Sequence, residues 1–243
     1  MMPLGDIDFY FDPVCPFCWM TSKWVRQVRA QRAHAVNWRF ISLRLLNAHV
    51  DYDAQFPPDY EAGHTAGLRL LRVAARTRAE HGSDALDDLY AAMGDHVFER
   101  PLPTDGSGDG GRRGTRAFVA PILEQAGLPA ELADALDEAT WDSIIQAETD
   151  EALALTGKDV GTPILQFEPP DGVAFFGPVI SRMPTDTQAG ELWDHVIGLA
   201  RFAGFSELKR SLRERPQLPS FGVTEDQVGL SEDWHGGSRR QHH

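Results

Sequence analysis

A chain of 243 residues is long enough to bury a full core in one large domain or two small ones. It is 42% apolar and 24% charged, an ordinary globular composition, and no stretch approaches the run of about 18 apolar residues that a membrane span needs. With 23 Lys and Arg against 36 Asp and Glu the net charge is −13, so a nucleic-acid partner is excluded, because backbone binding needs a basic surface. The N-terminus has no basic segment and sets Asp6, Asp8 and Asp12 within its apolar part, unlike a secretory signal. The expected compartment is the cytoplasm, where thiols stay reduced. The charge is uneven: residues 57–155 hold eight basic and nineteen acidic side chains, which suggests a separately surfaced unit.

Taken in chain order, residues 5–11 alternate and are rich in aromatic and β-branched types, which predicts a strand stopped by Asp12-Pro13. A helix is expected over 16–32, with Pro16 suited to a first helical position, and a second strand over 35–43. Residues 57–155 read as successive helices separated by Gly, Pro and Asp/Ser clusters, interrupted by a flexible Gly-rich loop at 105–114. Strands follow at 163–167 and 172–177 as a hairpin, with Phe175 and Phe176 as a core signal, and a last helix over 187–202. From 214 the chain is polar and rich in Gly and Pro, and a poorly ordered tail is expected to 243, its final His pair a possible expression remnant. The order βαβ, helical insertion, ββα predicts one mixed sheet with helices on its faces. Residues 1–56 and 156–213 would form that unit, with 57–155 inserted as a lid over one edge.

Both cysteines lie together as Cys15-Pro16-Phe17-Cys18. A helix N-terminus presents unpaired N–H groups and partial positive charge, so a thiolate at the cap is stabilised and its pKa falls, into a range of about 3.5–7.5 for activated cysteines. Cys15 at the cap is then the nucleophile, and Cys18, one turn inward, can resolve a mixed disulfide formed at Cys15. The pair could instead be two ordinary buried thiols or half of a metal site, but the adjoining βαβ pattern favours the redox motif. There is no dinucleotide-binding Gly-x-Gly-x-x-Gly after the first strand, and two cysteines cannot hold an iron–sulfur cluster. Two electrons would have to come from the dithiol itself, with no cofactor bound.

The segments FDPVCPFCWMTSKW, SLRLLNAH, LYAAMGDHVF, GLPAELADAL, DVGTPILQF, VAFFGPVISRMP, LWDHV and FSELKR together resemble the mycothiol-dependent nitroreductases of actinobacteria, within the DsbA-like branch of thioredoxin-fold proteins. The resemblance runs from about residue 7 to 213. It implies an α/β thioredoxin-like (DsbA-like) fold with an inserted all-helical lid. The implied activity is a cytoplasmic reductase of small electrophiles or nitro compounds with mycothiol as electron-donating cosubstrate. A mycoredoxin and a second copy of the chain are further candidate partners; nucleic acid and membrane are not. By the same resemblance Cys15 is the nucleophile, Cys18 the resolving thiol and Pro163 a cis-proline lying against them, while Pro16, Phe17, Asn47, Tyr60 and Thr162 line the substrate site. Phe17 stands where such proteins usually carry Trp. That change removes an indole donor, although Phe17 can still stack on a substrate ring.

Other residues compete for attention. Asp12, three residues before Cys15, can transfer protons or simply cap the turn, and the cap is the plainer reading. His64, His81 and His96 read as surface or satisfied histidines, and Trp19 and Trp24 as core. The Arg69/Arg72/Arg76 stripe reads as a solvated helix face that could also meet an anionic cofactor. Two other functions share the cysteine chemistry or the fold. One is a DsbA-like protein disulfide oxidoreductase or isomerase. The other is an enzyme resembling kappa-class glutathione transferases or 2-hydroxychromene-2-carboxylate isomerases, which do not need a second cysteine. A non-enzymatic binding module would leave the cysteine pair unexplained.

Overall fold

The computed structural model describes residues 6–56, 59–101, 111–157, 159–210, 212–223 and 231–233. Positions 105–110 of the expected Gly-rich loop and most of the expected tail lie outside these residues. The central sheet has four strands in the order β2-β1-β3-β4. They are β1 (Ile7–Phe11), β2 (Val36–Phe40), β3 (Ile164–Phe167) and β4 (Ala174–Phe176). β1 runs parallel to β2 and antiparallel to β3, with Phe9 opposite Trp38 on one side and Leu165 on the other. The parallel step is made by helix α1 (Pro16–Gln31), the crossover that a parallel pair requires.

Strand alternation sorts the two faces. Ile7, Phe9, Phe11, Trp38, Phe40, Leu165 and Phe167 join one large apolar cluster with α1 and with α7 (Asp186–Ala200). Tyr10 and Ile164 point the other way and pack with Ala152 of α6 (Asp142–Thr156). The α6 face also carries a stitched set of charges. Glu148 of α6 accepts from the Phe40 backbone N–H at 2.8 Å and pairs with Arg39 of β2 at 3.3 Å. It also pairs at 2.8 Å with Arg78, which belongs to α4 (Tyr60–Phe98). Removing one partner of so buried a pair strands the other, which is why such clusters persist.

Between β2 and β3 the chain forms α2 (Leu43–Leu46), α3 (Tyr52–Gln55), α4, α5 (Arg116–Gln125) and α6. The short α2 and α3 were not expected; each starts on a side-chain cap, Ser42 for α2 and Asp51 for α3. α4 is broken at Gly82, whose φ of 89° is open to glycine, so the two helices expected there join across a kink. Residues 130–137 are 3-10 rather than α-helical. The buried residues explain this: Leu132 and Ala135, and Ala133 and Leu136, recur every third position, matching three residues per turn.

The insertion shares its core with the sheet. Leu86, Leu89, Tyr90, Val119, Leu136 and Ile145 belong to the same cluster as Ile7, Phe9 and Trp38, so the acidic segment is not a separately cored unit. Two expectations change. Phe175 and Phe176 are half-buried on the edge strand β4 rather than core. The segment from 214, expected to be disordered, packs in part: Leu218 is fully buried, and β5 (Leu212–Glu214) pairs with β6 (Ser231–Asp233). A Gln217 N–H donates to the Ser181 carbonyl at 2.7 Å and holds it there.

Candidate active site

α1 begins one residue after the end of a sharp turn out of β1. Cys15 is its N-cap, in extended conformation, with Pro16 in the first turn, as a helix start favours. The Cys18 backbone N–H donates to Cys15 Sγ at 3.4 Å, so the sulfur does the work of a capping oxygen. From across the sheet edge, the loop before β3 brings Thr162, whose hydroxyl donates to Cys15 Sγ at 3.0 Å. The Thr162–Pro163 bond is cis, and the Pro163 carbonyl accepts from the Gly177 N–H at 2.8 Å. Cys15, Cys18 and Thr162 therefore meet in space, with Pro163 next to Thr162 in the chain, although Thr162 lies 147 positions after Cys15.

Both cysteines are free thiols and buried, Cys15 at 5% exposure and Cys18 at 0%. Their proton affinities diverge. Burial raises Cys15, but hydrogen bonds from the Cys18 thiol, the Thr162 hydroxyl and the Cys18 N–H outweigh it, and Cys15 lies below an ordinary thiol. Burial and then the neighbouring Cys15 push Cys18 well above an ordinary thiol. The two sulfurs are thus an acidic and a weakly acidic thiol one helical turn apart.

Asp12 sits in the turn before them and is 0% exposed. It caps the turn as expected, accepting from Val14 N–H at 2.9 Å, and its second oxygen accepts from Leu43 N–H at 2.8 Å. Burial pushes this carboxyl up to about 7 despite both hydrogen bonds. α4 closes over it: a Cβ on Gly67 would lie 2.8 Å from Asp12 Oδ1. The cap is legible from an acid in the turn before Cys-x-x-Cys, but burial by α4 has no local signal.

Asn47 closes α2, whose first N–H is the one Asp12 holds. It is buried, and its amide N–H donates to the Leu43 carbonyl at 2.8 Å. Tyr60 opens α4, is 44% exposed, and stacks on Phe56 at 5.4 Å. Its neighbour Glu61 pairs with Arg44 of α2 at 3.1 Å, so Asn47 and Tyr60 lie on adjoining elements. Phe17 is 6% exposed and belongs to the core cluster, so its ring is not an open wall. His64 is buried with Nδ1 at 2.9 Å from the Tyr52 hydroxyl, and burial followed by Arg44 lowers it to about 4. It is a satisfied histidine. The arginine stripe is committed too: Arg69 pairs with Asp137 at 2.5 Å, Arg72 with Asp142 at 2.7 Å and Arg76 with Glu80 at 2.8 Å. Those pairs tie the stripe to acids of its own insertion. Trp19 and Trp24 are core, as expected. Among the described residues no cluster of three or more His, Cys, Asp or Glu could hold a metal ion, and no helix is long and apolar enough to cross a membrane.

The profile of the Rv2466c-like family, described as mycothiol-dependent nitroreductase Rv2466c, matches residues 14–210. The chain belongs to the Rv2466c-like family. It is an oxidoreductase by that membership, and the matched span takes in both cysteines, Thr162 and Pro163. A relative from Mycobacterium tuberculosis, the uncharacterized protein Rv2286c, is 34% identical over 205 residues, covering 84% of this chain and 81% of its own. Among solved structures, a putative protein disulfide isomerase from Nitrosomonas europaea superposes with a TM-score of 0.50 at 13% identity, over 81% of this chain and 98% of that one. A 2-hydroxychromene-2-carboxylate isomerase gives 0.51 at 13% identity, over 80% and 96%. At such identities these two speak for the fold alone: a thioredoxin-like sheet of the DsbA type interrupted by helices.

Proposed function

We propose that this protein is a dithiol reductase in which Cys15 and Cys18 pass two electrons to a small electrophile or nitro compound and are recharged by mycothiol. The observation that carries the reading is the divergence of the two thiols: an acidic Cys15 at a helix cap, held by Thr162, and a weakly acidic Cys18 one turn behind it. Each cycle takes two electrons from the two sulfurs, and the two thiol protons leave with the reduced acceptor, as water when a nitro group becomes nitroso. A Cys15–Cys18 disulfide remains. A first mycothiol thiolate attacks Cys15 Sγ and expels Cys18; a second attacks the resulting mixed disulfide, frees Cys15 and leaves as mycothiol disulfide. Pro163 backs the sulfurs, and Pro16, Phe17, Asn47, Tyr60 and Thr162 are the substrate-facing set, Phe17 only once its ring is uncovered.

The burial of Cys15 favours a small acceptor over a polypeptide disulfide, which needs an open groove. The second cysteine, held within reach of the first, favours redox cycling over the transferase and isomerase alternatives. A cytoplasmic setting, where low-molecular-weight thiols are abundant, suits such a cycle. The test is turnover of a nitroaromatic acceptor with mycothiol, glutathione or thioredoxin recycling systems compared side by side. Mycothiol should sustain repeated turnover, and Cys15→Ser should abolish it. Equal turnover with glutathione or thioredoxin would overturn the donor assignment. Activity surviving Cys15→Ser would overturn the dithiol mechanism.

A further inference from the structure

A serine or threonine in mid-helix commonly returns its hydroxyl to a carbonyl of its own helix. Ser22, Thr77 and Thr149 do so, donating to the Trp19, Val73 and Ile145 carbonyls at 2.8 Å each. Thr21 of α1 does not. Its side chain is fully buried, and its hydroxyl donates at 2.8 Å to the Pro178 carbonyl, 157 positions along the chain. Pro178 lies just past the end of β4. The residue before it, Gly177, donates its N–H to the Pro163 carbonyl at 2.8 Å. The residue before Pro163 is Thr162, whose hydroxyl donates to Cys15 Sγ at 3.0 Å. These three bonds close a ring. It runs from Cys15 along α1 to Thr21, across to residues 177–178, on to residues 162–163, and back to the Cys15 sulfur.

Thr162 and Cys15 sit on different elements, and a hydrogen bond to sulfur keeps its strength only while the two hold their separation and angle. A donor on a loop needs a supporting bond to stay aimed. We infer that Thr21 is a positioning residue for the dithiol: by holding the Pro178 carbonyl to the helix that presents Cys15, it fixes the Gly177–Pro163 contact and so aims the Thr162 hydroxyl at Cys15 Sγ. Thr21 passes no proton and touches no substrate in this role; it acts through the backbone of residues 177–178 and 162–163. The chain between β4 and α7 has a second anchor on the same helix, which serves as the comparison. Gln27, six positions past Thr21, donates its amide to the Pro184 carbonyl at 3.2 Å and to the Asp186 carboxylate at 2.7 Å. That anchor holds the far end of the segment, where α7 begins, and lies outside the ring. The inference rests on the dithiol reading above for the identity of the reacting sulfur, but its test needs neither mycothiol nor an acceptor.

Thr21→Val keeps the branched shape and deletes the hydroxyl. Ionisation of Cys15 is read from thiolate absorbance against pH in a Cys18→Ser background, where Cys15 is the one thiol left in the chain. Thr21→Val should make Cys15 a weaker acid by about three- to tenfold in its ionisation constant, the value of one hydrogen bond between neutral groups. Thr21→Ser, which keeps the donor, should restore it. Gln27→Leu loosens the other end of the segment, so it should lower the urea midpoint while leaving Cys15 acidity unchanged within about twofold. Added to Thr162→Val, Thr21→Val should weaken Cys15 no further, because the donor it aims is gone. Unchanged Cys15 acidity in Thr21→Val, an equal shift in Gln27→Leu, or a shift that persists in full in the Thr162→Val background would overturn the inference. Absence of mycothiol-dependent turnover in the wild type, with these shifts present, would overturn the proposed reaction and leave the role of Thr21 standing.

Discussion

Thr162→Val tests how far the loop before β3 makes Cys15 an acid. The substitution keeps the branched shape at a buried position, 5% exposed, and deletes only the hydroxyl that donates to Cys15 Sγ at 3.0 Å. The Thr162 carbonyl, 3.8 Å from the same sulfur, is backbone and stays. A hydrogen bond to a charged acceptor contributes about 1.5–3 kcal/mol, and about 1.4 kcal/mol is a factor of ten. Cys15 should therefore become a weaker acid by about ten- to a hundredfold in its ionisation constant. The thiolate belongs to the reduced form, so that form loses stability and the dithiol becomes the stronger reductant. At about 30 mV per 1.4 kcal/mol its potential should fall by roughly 30–60 mV. Thiolate absorbance against pH and equilibration with a thiol redox buffer read the two quantities, and Thr162→Ser, which restores the hydroxyl, should recover both. A Cys15 acidity in Thr162→Val indistinguishable from wild type would refute the assignment of its low proton affinity to this donor.

Three further outcomes follow from the same geometry. Asp12 holds its proton up to about 7 when folded, against an ordinary carboxylate at 3.8. The folded state therefore binds a proton that the unfolded chain has released, and stability falls as pH rises through that window, by about 4 kcal/mol at about 1.4 kcal/mol per unit. Urea unfolding at several pH values should show this slope in wild type and lose most of it in Asp12→Asn; a slope unchanged in the variant would sink the account. Gly94→Ala should lower the thermal midpoint, because the new methyl would meet the Trp19 ring at 2.1 Å, an overpacking that costs about 1–3 kcal/mol. Mixed-disulfide trapping should distinguish the sulfurs: Cys18→Ser accumulates an adduct at Cys15, whereas Cys15→Ser reacts slowly, and faster alkylation of Cys18 than of Cys15 would reverse their roles.

The parts of this architecture that the sequence declares are those set by neighbours in the chain. Asp12-Pro13 ends β1, Pro16 opens α1, and Cys15 falls on the cap because the residue before a first-turn proline has nowhere else to be. The hairpin of β3 and β4 is announced by the Pro-rich turn between them. The parts that escape are set across distance. Nothing near Phe17 in the chain says that its ring lies in the core, and nothing near Asn47 says that one of its amide N–H groups is given to the Leu43 carbonyl. The 3-10 segment at 130–137 escapes because its composition favours an α-helix and only its burial every third residue decides otherwise. The unequal acidity of the two cysteines is half legible: the helix cap is local, but the Thr162 donor arrives from 147 residues away.

An insertion that merely covered the site would touch it at a rim, and this one enters its foundations. α4 supplies Tyr90 to the aromatic stack on Phe11, receives the Trp19 ring against Gly94, and seals Asp12 at Gly67. All three contacts fall on residues between four before Cys15 and one after Cys18. Cover and acidity are consequently linked. A shift of α4 off Asp12 would let water reach that carboxyl, and a hydrated Asp12 is a stronger acid. The negative charge it then carries raises the proton affinity of Cys15. The closed insertion thus keeps that charge away from Cys15, against the larger effect of burial, which raises the thiol. The contacts that keep Asp12 protonated are the ones that bury the sulfur, which gives a chemical reason for building so much of the insertion into the same core as the sheet.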